Sequence, residues 1–385
     1  MSSICKLSTC KLRNSLFSLC CAVMVFPGAT SGYAQDAWPI GVSLGLTGAQ
    51  GATAQRQIKA IELATEMINA KGGVHGRPLK LIVEDDQTKP ELAVPKALKL
   101  IDQDKVLAII GGNSGDTAMA IGTMTEKKEV PLLSPTGVNQ TAAQRAFKYS
   151  FLMVPEYDDA IDGLVRYAVG NLKCKDIGLL RLTRLWGVQA SEGYKKMADK
   201  YGVKIVREET LNDSDKDMTP QLTNLKAANP CAIAIWAAVP AAAISIKNAR
   251  QLGIDVPLLG NPIFASTTTP DIAGPAANGI IGSATLVPAD PLPRQSEYVK
   301  KYFEKYNISA DMWDAAVYDA VFLVASAIGK LPPDKVTAKA VREQLAATKG
   351  FEGAGSVVDF TKHHWPLSDS WVMITVKDGK AMRLN

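Results

Sequence analysis

The sequence predicts an α/β protein of two lobes, each a doubly wound parallel sheet. Three observations carry this. Four short apolar runs alternate with helical patterns between residues 40 and 134. The same alternation returns between residues 154 and 285, without close sequence repetition. Several of the runs are unbroken, such as VLAII at 106–110, which suits strands covered on both faces rather than strands with one wet face. Strands alternating with helices imply parallel pairing and right-handed crossovers.

The first strand spans residues 40–45 and ends in the glycine-rich turn GLTGAQGATAQ. A helix follows over 52–70, with Ile58, Ile61, Ala64 and Ile68 on one face, and Lys71-Gly72-Gly73 stops it. The second strand, 79–83, ends at Glu84-Asp85-Asp86, where Asp85 and Asp86 suit loop capping better than acid–base chemistry. Thr88-Lys89-Pro90-Glu91 has the pattern of a capping box with an early proline, opening a helix to about 102. The third strand, 106–110, leads through Gly111 and Gly112 to a helix capped by Ser114, with Asp116 in its first turn. The glycines would let the backbone approach a ligand closely. A fourth strand at 131–134 ends in the turn Pro135-Thr136-Gly137-Val138-Asn139.

The second half reads as a helix over 157–171, strands at 177–182, 203–207, 232–237, 257–259 and 280–285, and helices at 188–201, 219–228 and 241–252. Three helices, 295–306, 311–329 and 338–348, and two strands, 355–360 and 371–376, complete the chain and return to the two lobes.

The leader and the cysteines set the compartment. Lys6, Lys11 and Arg13 precede a short apolar run at 16–25, and Gly32-Tyr33-Ala34 offers small residues for cleavage after Ala34. Cys20 and Cys21 raise a lipoprotein alternative, but Leu19 is larger than the residue expected before a lipidated cysteine. No later stretch reads as a membrane helix, so the expected product is an exported, soluble, monomeric protein of the periplasm. Four cysteines leave with the leader. Cys174 and Cys231 remain, each just before a predicted strand, in an oxidising compartment. They form either a disulfide across neighbouring strands or two buried free thiols. Two isolated cysteines do not suggest a metal site.

The formal charge of +5 carries no basic cluster, so nucleic acid is not a partner suggested by the sequence. Enzyme signatures are weak. Gly45, Gly48 and Gly51 are spaced GxxGxxG rather than GxGxxG, which leaves an exported NAD-type oxidoreductase as a poor alternative. No glycine run is followed by GK[ST], and no GxSxG elbow is present. His363 and His364 are adjacent and have no evident third ligand nearby. No cofactor is expected.

Taken together, GVSLGLTGAQG, INAKGGVHGRPLKLIVEDD, IIGGNSGDTA, VPLLSPTG, MTPQLTNLKAANP and VYDAVFLVASAI resemble a periplasmic solute-binding protein of the branched-chain amino-acid receptor type. The resemblance covers nearly the whole mature chain. It implies two lobes joined by three crossings, near Leu152, Thr285 and Ser368. The lobes are then 35–152 with 286–368, and 153–285 with 369–385. It also implies ligand capture by hinge closure and docking on a membrane permease, or on a membrane receptor if the module is a sensor.

By the same resemblance, Asn113, Ser114, Thr136, Gly137 and Val138 grip a ligand carboxylate. A helix N-terminus at a strand's carboxyl end favours an anion on physical grounds as well, although the same features would serve an ordinary turn in which Ser114 only caps its helix. Trp186 takes the place of an aromatic residue lying over the ligand, and Trp313 that of a pocket-lining one; core packing is the alternative for each. The acid that such receptors place against the ligand ammonium is missing at Gly260-Asn261-Pro262-Ile263, and a tyrosine position falls at Val239-Pro240. A buried ammonium without a partner is costly. The expectation from the sequence is therefore a carboxylate ligand lacking an ammonium, with an aromatic or other organic body, the alternative being a branched-chain or other amino acid. Val239, Pro262 and Ile263 would line the second lobe's wall.

Overall fold

The computed structural model describes residues 37–136, 146–266 and 268–384. The leader and its cleavage position lie outside the described residues, as do Gly137 and Val138. The first sheet contains five parallel strands: β1 (Trp38–Leu44), β2 (Leu79–Asp85), β3 (Ile109–Gly111), β4 (Leu132–Ser134) and β5 (Ser150–Leu152), in the order β2-β1-β3-β4-β5. The second contains β6 (Asp176–Leu182), β7 (Lys204–Leu211), β8 (Ala232–Trp236), β9 (Leu258–Gly260), β10 (Ile281–Ala284), β13 (Val372–Lys377) and β14 (Lys380–Arg383), in the order β14-β13-β10-β9-β8-β6-β7. Only its last two strands run antiparallel to their neighbours. A two-residue pair, β11 (Phe351–Glu352) with β12 (Val357–Val358), stands apart.

The helices follow the predicted faces. In the first half α1 (Gly51–Ala70), α2 (Pro90–Asp102) and α3 (Gly115–Lys128) cover the sheet. The second half carries α4 (Tyr157–Gly170), α5 (Leu185–Tyr201), α6 (Thr219–Ala227) and α7 (Ala241–Gln251), with the short α8 (Thr268–Ala273) beyond. Then come α9 (Pro293–Tyr306), α10 (Met312–Gly329) and α11 (Ala338–Ala346). α10 packs along α1 and is apolar nearly all round, as a helix enclosed by core should be. It corrects the expectation that no later segment suits a bilayer: α10 is long and apolar enough to cross one, yet 78% of it is buried inside the protein.

Four further readings change. Thr88 does not cap α2; Lys89 occupies the N-cap without a side-chain bond, and the Thr88 hydroxyl accepts instead from the Gln50 N–H across the sheet's end. The close approach made possible by Gly111 is to β1, since a Cβ there would lie 1.9 Å from the Ser43 carbonyl oxygen; only Gly112, at φ +68°, needs glycine for its turn. The strand expected at 355–360 is a loop into β12, because the buried Asp319 carboxylate draws in the Ala354 N–H at 2.8 Å and the Gly355 N–H at 2.6 Å. Two strands come in addition to those expected: β5, which has only three residues, and β14, whose residues KAMR are mostly polar.

Cys174 and Cys231 form a disulfide, their Cα atoms 5.5 Å apart, at the entrances of the neighbouring strands β6 and β8. The chain leaves the first sheet after Leu152, leaves the parallel part of the second after Ala284, and re-enters it at Val372. These passages are tied to one another. Gln295 donates from Nε2 to the Thr285 and Ala354 carbonyls at 2.6 and 3.0 Å. Val357 N–H donates to Ser370 Oγ at 3.0 Å, and Leu152 N–H to the His364 carbonyl at 2.8 Å.

Candidate ligand-binding cleft

The polar turns lie at the carboxyl ends of parallel strands, where open α/β sheets bind ligands. After β3 the chain turns through Gly112 and Asn113 to Ser114, the N-cap of α3, in extended backbone at φ −128° and ψ 154°. Ser114 Oγ accepts the Thr117 N–H at 3.2 Å, and Thr117 Oγ1 accepts the Ser114 N–H at 3.3 Å, a reciprocal capping box. The two hydroxyls lie 2.9 Å apart, and that of Thr117 is 3.2 Å from the Ser114 carbonyl, so the Ser114 O–H has Thr117 Oγ1 as its partner here and would have to turn from it to meet a ligand. Asn113 Oδ1 accepts the Gly45 N–H at 3.2 Å, while its Nδ2 is buried with no partner among the described residues.

Ser134 joins this turn to the next. Its hydroxyl donates to the Gly112 carbonyl at 2.9 Å and lies 3.1 Å from Thr136 Oγ1. Asn113, Ser114 and Thr136 thus share one corner, at the positive end of α3. Gly137 and Val138 lie outside the described residues.

Trp313 enters from the first turn of α10. Asp311 caps that helix, accepting the Trp313 and Asp314 N–H groups at 2.9 and 3.1 Å. Arg56 of α1 clamps the cap, reaching Asp314 at 2.7 Å, Asp311 at 3.3 Å and the Ser309 carbonyl at 2.7 Å. Burial alone would lower the guanidinium's pKa, but Asp311 and Asp314 outweigh it and hold the charge firmly on. Trp313 is therefore set by a buried ion-pair network as well as by packing.

In the second half, Trp186 stands in the first turn of α5 beyond β6, with the Arg184 guanidinium 5.2 Å from its ring centroid. Its Nε1 is buried without a partner among the described residues. Asn261, fully buried, closes the wall: its Nδ2 donates to the Ala237 carbonyl at 2.8 Å and its Oδ1 accepts the Ile263 N–H at 3.2 Å. The amide cross-links the ends of β8 and β9, with half-buried Val239 on one side and Pro262 and Ile263 on the other. No carboxylate stands at this stretch.

Sequence reasoning missed the feature that joins these walls. Tyr157, the first residue of α4, has its ring centroid 5.9 Å from Trp186, 5.5 Å from Trp236, 6.4 Å from Trp313 and 6.3 Å from Trp371. It carries the aromatic contact from one sheet's territory to the other's. Trp371 is anchored by its Nε1, which donates to the Glu156 carbonyl at 3.2 Å. The contributing residues come from five separate segments, so no local spacing announces the cluster.

Beside it, the first turns of α4 are acidic. Asp158 pairs with Lys196 at 2.8 Å and Asp162 pairs with Lys200 at 2.6 Å. Asp159 is pushed up to about 6, first by burial and then by Glu156, Asp158 and Asp162.

A family model described as periplasmic binding protein matches residues 37–381. The chain belongs to the periplasmic binding protein family. The periplasmic protein is 26% identical over 357 residues to the leucine-, isoleucine-, valine-, threonine- and alanine-binding protein of Pseudomonas aeruginosa, covering 89% of this chain and 94% of that one. It is 26% identical to Leu/Ile/Val-binding protein homolog 2 of Brucella abortus, covering 76% and 77% of the two chains. The fold matches the isoleucine complex of the branched-chain amino-acid transporter substrate-binding protein LivJ from Streptococcus pneumoniae, with a TM-score of 0.80, 24% identity and coverage of 91% and 99%. An ABC transporter substrate-binding protein from Sphaerobacter thermophilus gives a TM-score of 0.82 at 21% identity, covering 91% and 96%. The fold is the type I periplasmic binding protein fold, and the family's members are binding receptors rather than enzymes.

Proposed function

We propose that this binding protein is the receptor of an ABC importer and captures a small aliphatic amino acid, of the branched-chain kind, for its membrane permease. The ligand's carboxylate meets Asn113, Ser114 and Thr136, and Gly137 and Val138, outside the described residues, are the remaining candidates for it. Its side chain lies against Trp186, Trp313, Val239, Pro262 and Ile263. The two lobes that close on it are 35–152 with 286–368, and 153–285 with 369–385. The two separate sheets support that division.

The observation that carries the reading is the hydroxyl-lined corner at the N-terminus of α3, joined through Ser134 to Thr136. Two donor-bearing turns converge there at a helix's positive end, which suits a carboxylate. The names of the relatives supply the amino-acid body. Isothermal titration of the refolded mature protein with leucine, isoleucine and valine tests this. Saturable binding to one site supports it; heats no larger than dilution for all three refute it.

A second reading has an observation of its own. Asn261 spends its amide within the wall and Pro262 offers no charge, so this stretch lacks a counter-ion for an ammonium. A carboxylate with an aromatic or other apolar body and no amine would satisfy the same corner. Binding of benzoate-type acids with no response to amino acids would favour it.

A further inference from the structure

We propose that the ligand's ammonium is held on the ring faces of Tyr157, Trp186 and Trp371, closed from the first lobe by Trp313, in place of a carboxylate partner. This deepens the amino-acid reading and rests on it.

Four observations converge. The rings are brought together from separate segments, with Tyr157 in contact with all the others. The wall at 261–263 has no acid, and its one amide is occupied. The anion-favouring corner at Ser114 lies on the opposite lobe, so a zwitterion anchored there directs its other pole toward the second. Trp186 already receives one cation, Arg184, whose charge is shared with Asp213 at 2.8 Å. Aromatic faces attract cations through their quadrupole and need no hydrogen bond from them.

The last point separates this arrangement from an acidic partner. A carboxylate recognises ammonium N–H groups and loses those bonds when the nitrogen is methylated. Ring faces do not, and a methylated ammonium sheds its water more readily. The site should therefore accept N-methylated amino acids that an acid-paired site rejects.

The test is titration calorimetry of the mature protein with L-leucine, N,N,N-trimethyl-L-leucine and 4-methylpentanoic acid, the deaminated analogue. The trimethylated ligand should bind within about threefold of leucine, and the deaminated one about 30-fold more weakly, the ratio a desolvated cation–π contact supports. Tyr157→Leu should weaken leucine by about 10- to 30-fold. Tyr157→Phe keeps the ring and should stay within about threefold; its unfolding curve checks that the fold survives. Loss of binding on trimethylation overturns the proposal, as does an unaltered Tyr157→Leu. So does a Glu156→Gln variant that loses as much affinity as Tyr157→Leu, since the ammonium would then sit on that acid. In those three cases leucine still binds the parent protein and the amino-acid reading stands. If only the deaminated acid binds, both fall.

Discussion

Ser114 has two duties that one substitution confounds and two substitutions separate. Its hydroxyl caps α3 through the Thr117 N–H at 3.2 Å, and its proton, which Thr117 Oγ1 at 2.9 Å can accept, is proposed to turn to a ligand carboxylate. Ser114→Ala removes both. The lost cap should lower stability by about 1 kcal/mol, and the lost donor to a charged acceptor should lower affinity by about 1–3 kcal/mol, roughly five- to 150-fold. Ser114→Asp keeps the cap, because aspartate caps as well as serine and its charge suits the helix N-terminus. It also sets a carboxylate against the ligand's own. Two unit charges about 4 Å apart repel by about 4 kcal/mol at an effective dielectric of 20, so affinity should fall by about a thousandfold. Urea unfolding reads the first effect and leucine titration the second. A Ser114→Asp variant that binds leucine like the parent would show that Ser114 is only a cap, and would remove the carboxylate corner from the site.

Other consequences are equally direct. Arg56→Met should destabilise the protein by about 3–5 kcal/mol in urea unfolding, because it strands Asp314, whose side chain is wholly buried, beside Asp311; a loss below about 1 kcal/mol would mean the network carries little. Asp159 holds its proton more tightly folded than unfolded, so its contribution to stability is lost as pH rises from about 4 to about 6 and stays lost above. Asp159→Asn should flatten that part of the pH–stability curve and stabilise the protein at pH 7 by about 1 kcal/mol, after allowing for screening and the weaker helix-end interaction; an unchanged slope between pH 4 and 6 would refute this. Replacing Cys174 and Cys231 by serine opens a loop whose ends are 57 residues apart and should cost about 2–4 kcal/mol. Leucine affinity should not change, since the bridge lies at the strand entrances, away from the carboxyl ends; a large fall in affinity would contradict that placement.

What could be read from the chain was what neighbouring residues decide. Ser114 declared itself because an N-cap, a preceding buried strand and an acid in the first turn are local chemistry. The absence of an acid between Gly260 and Ile263 was visible for the same reason. Where a distant partner decided, the local pattern misled. Thr88 has the right spacing to cap α2, yet its hydroxyl accepts from Gln50, which lies 38 residues away. Residues 355–360 have strand-like composition, but the Asp319 carboxylate makes a loop of their beginning.

The aromatic cluster is the clearest case of information held by topology rather than spacing. Tyr157 follows β5 by five residues, and Trp371 immediately precedes β13. Both therefore sit just beyond the points where the chain passes between the two sheets, and the Trp371–Glu156 hydrogen bond fastens one passage to the other. A lone tyrosine at the start of an amphipathic helix looks like core, and a lone tryptophan before an edge strand looks like surface cover. Their contact depends on both passages running side by side, which is a property of a two-sheet protein with several crossings. That position also explains how one ring can meet Trp186 and Trp313 together. In the proposed two-lobe arrangement Tyr157 lies close to the joint, where a hinge motion would displace it least, and its contact with Trp313 would be the one made on closure. On that proposal, a ligand held there would be recognised by the part of the protein that moves least, and the Ser114 corner of the other lobe would close onto its carboxylate.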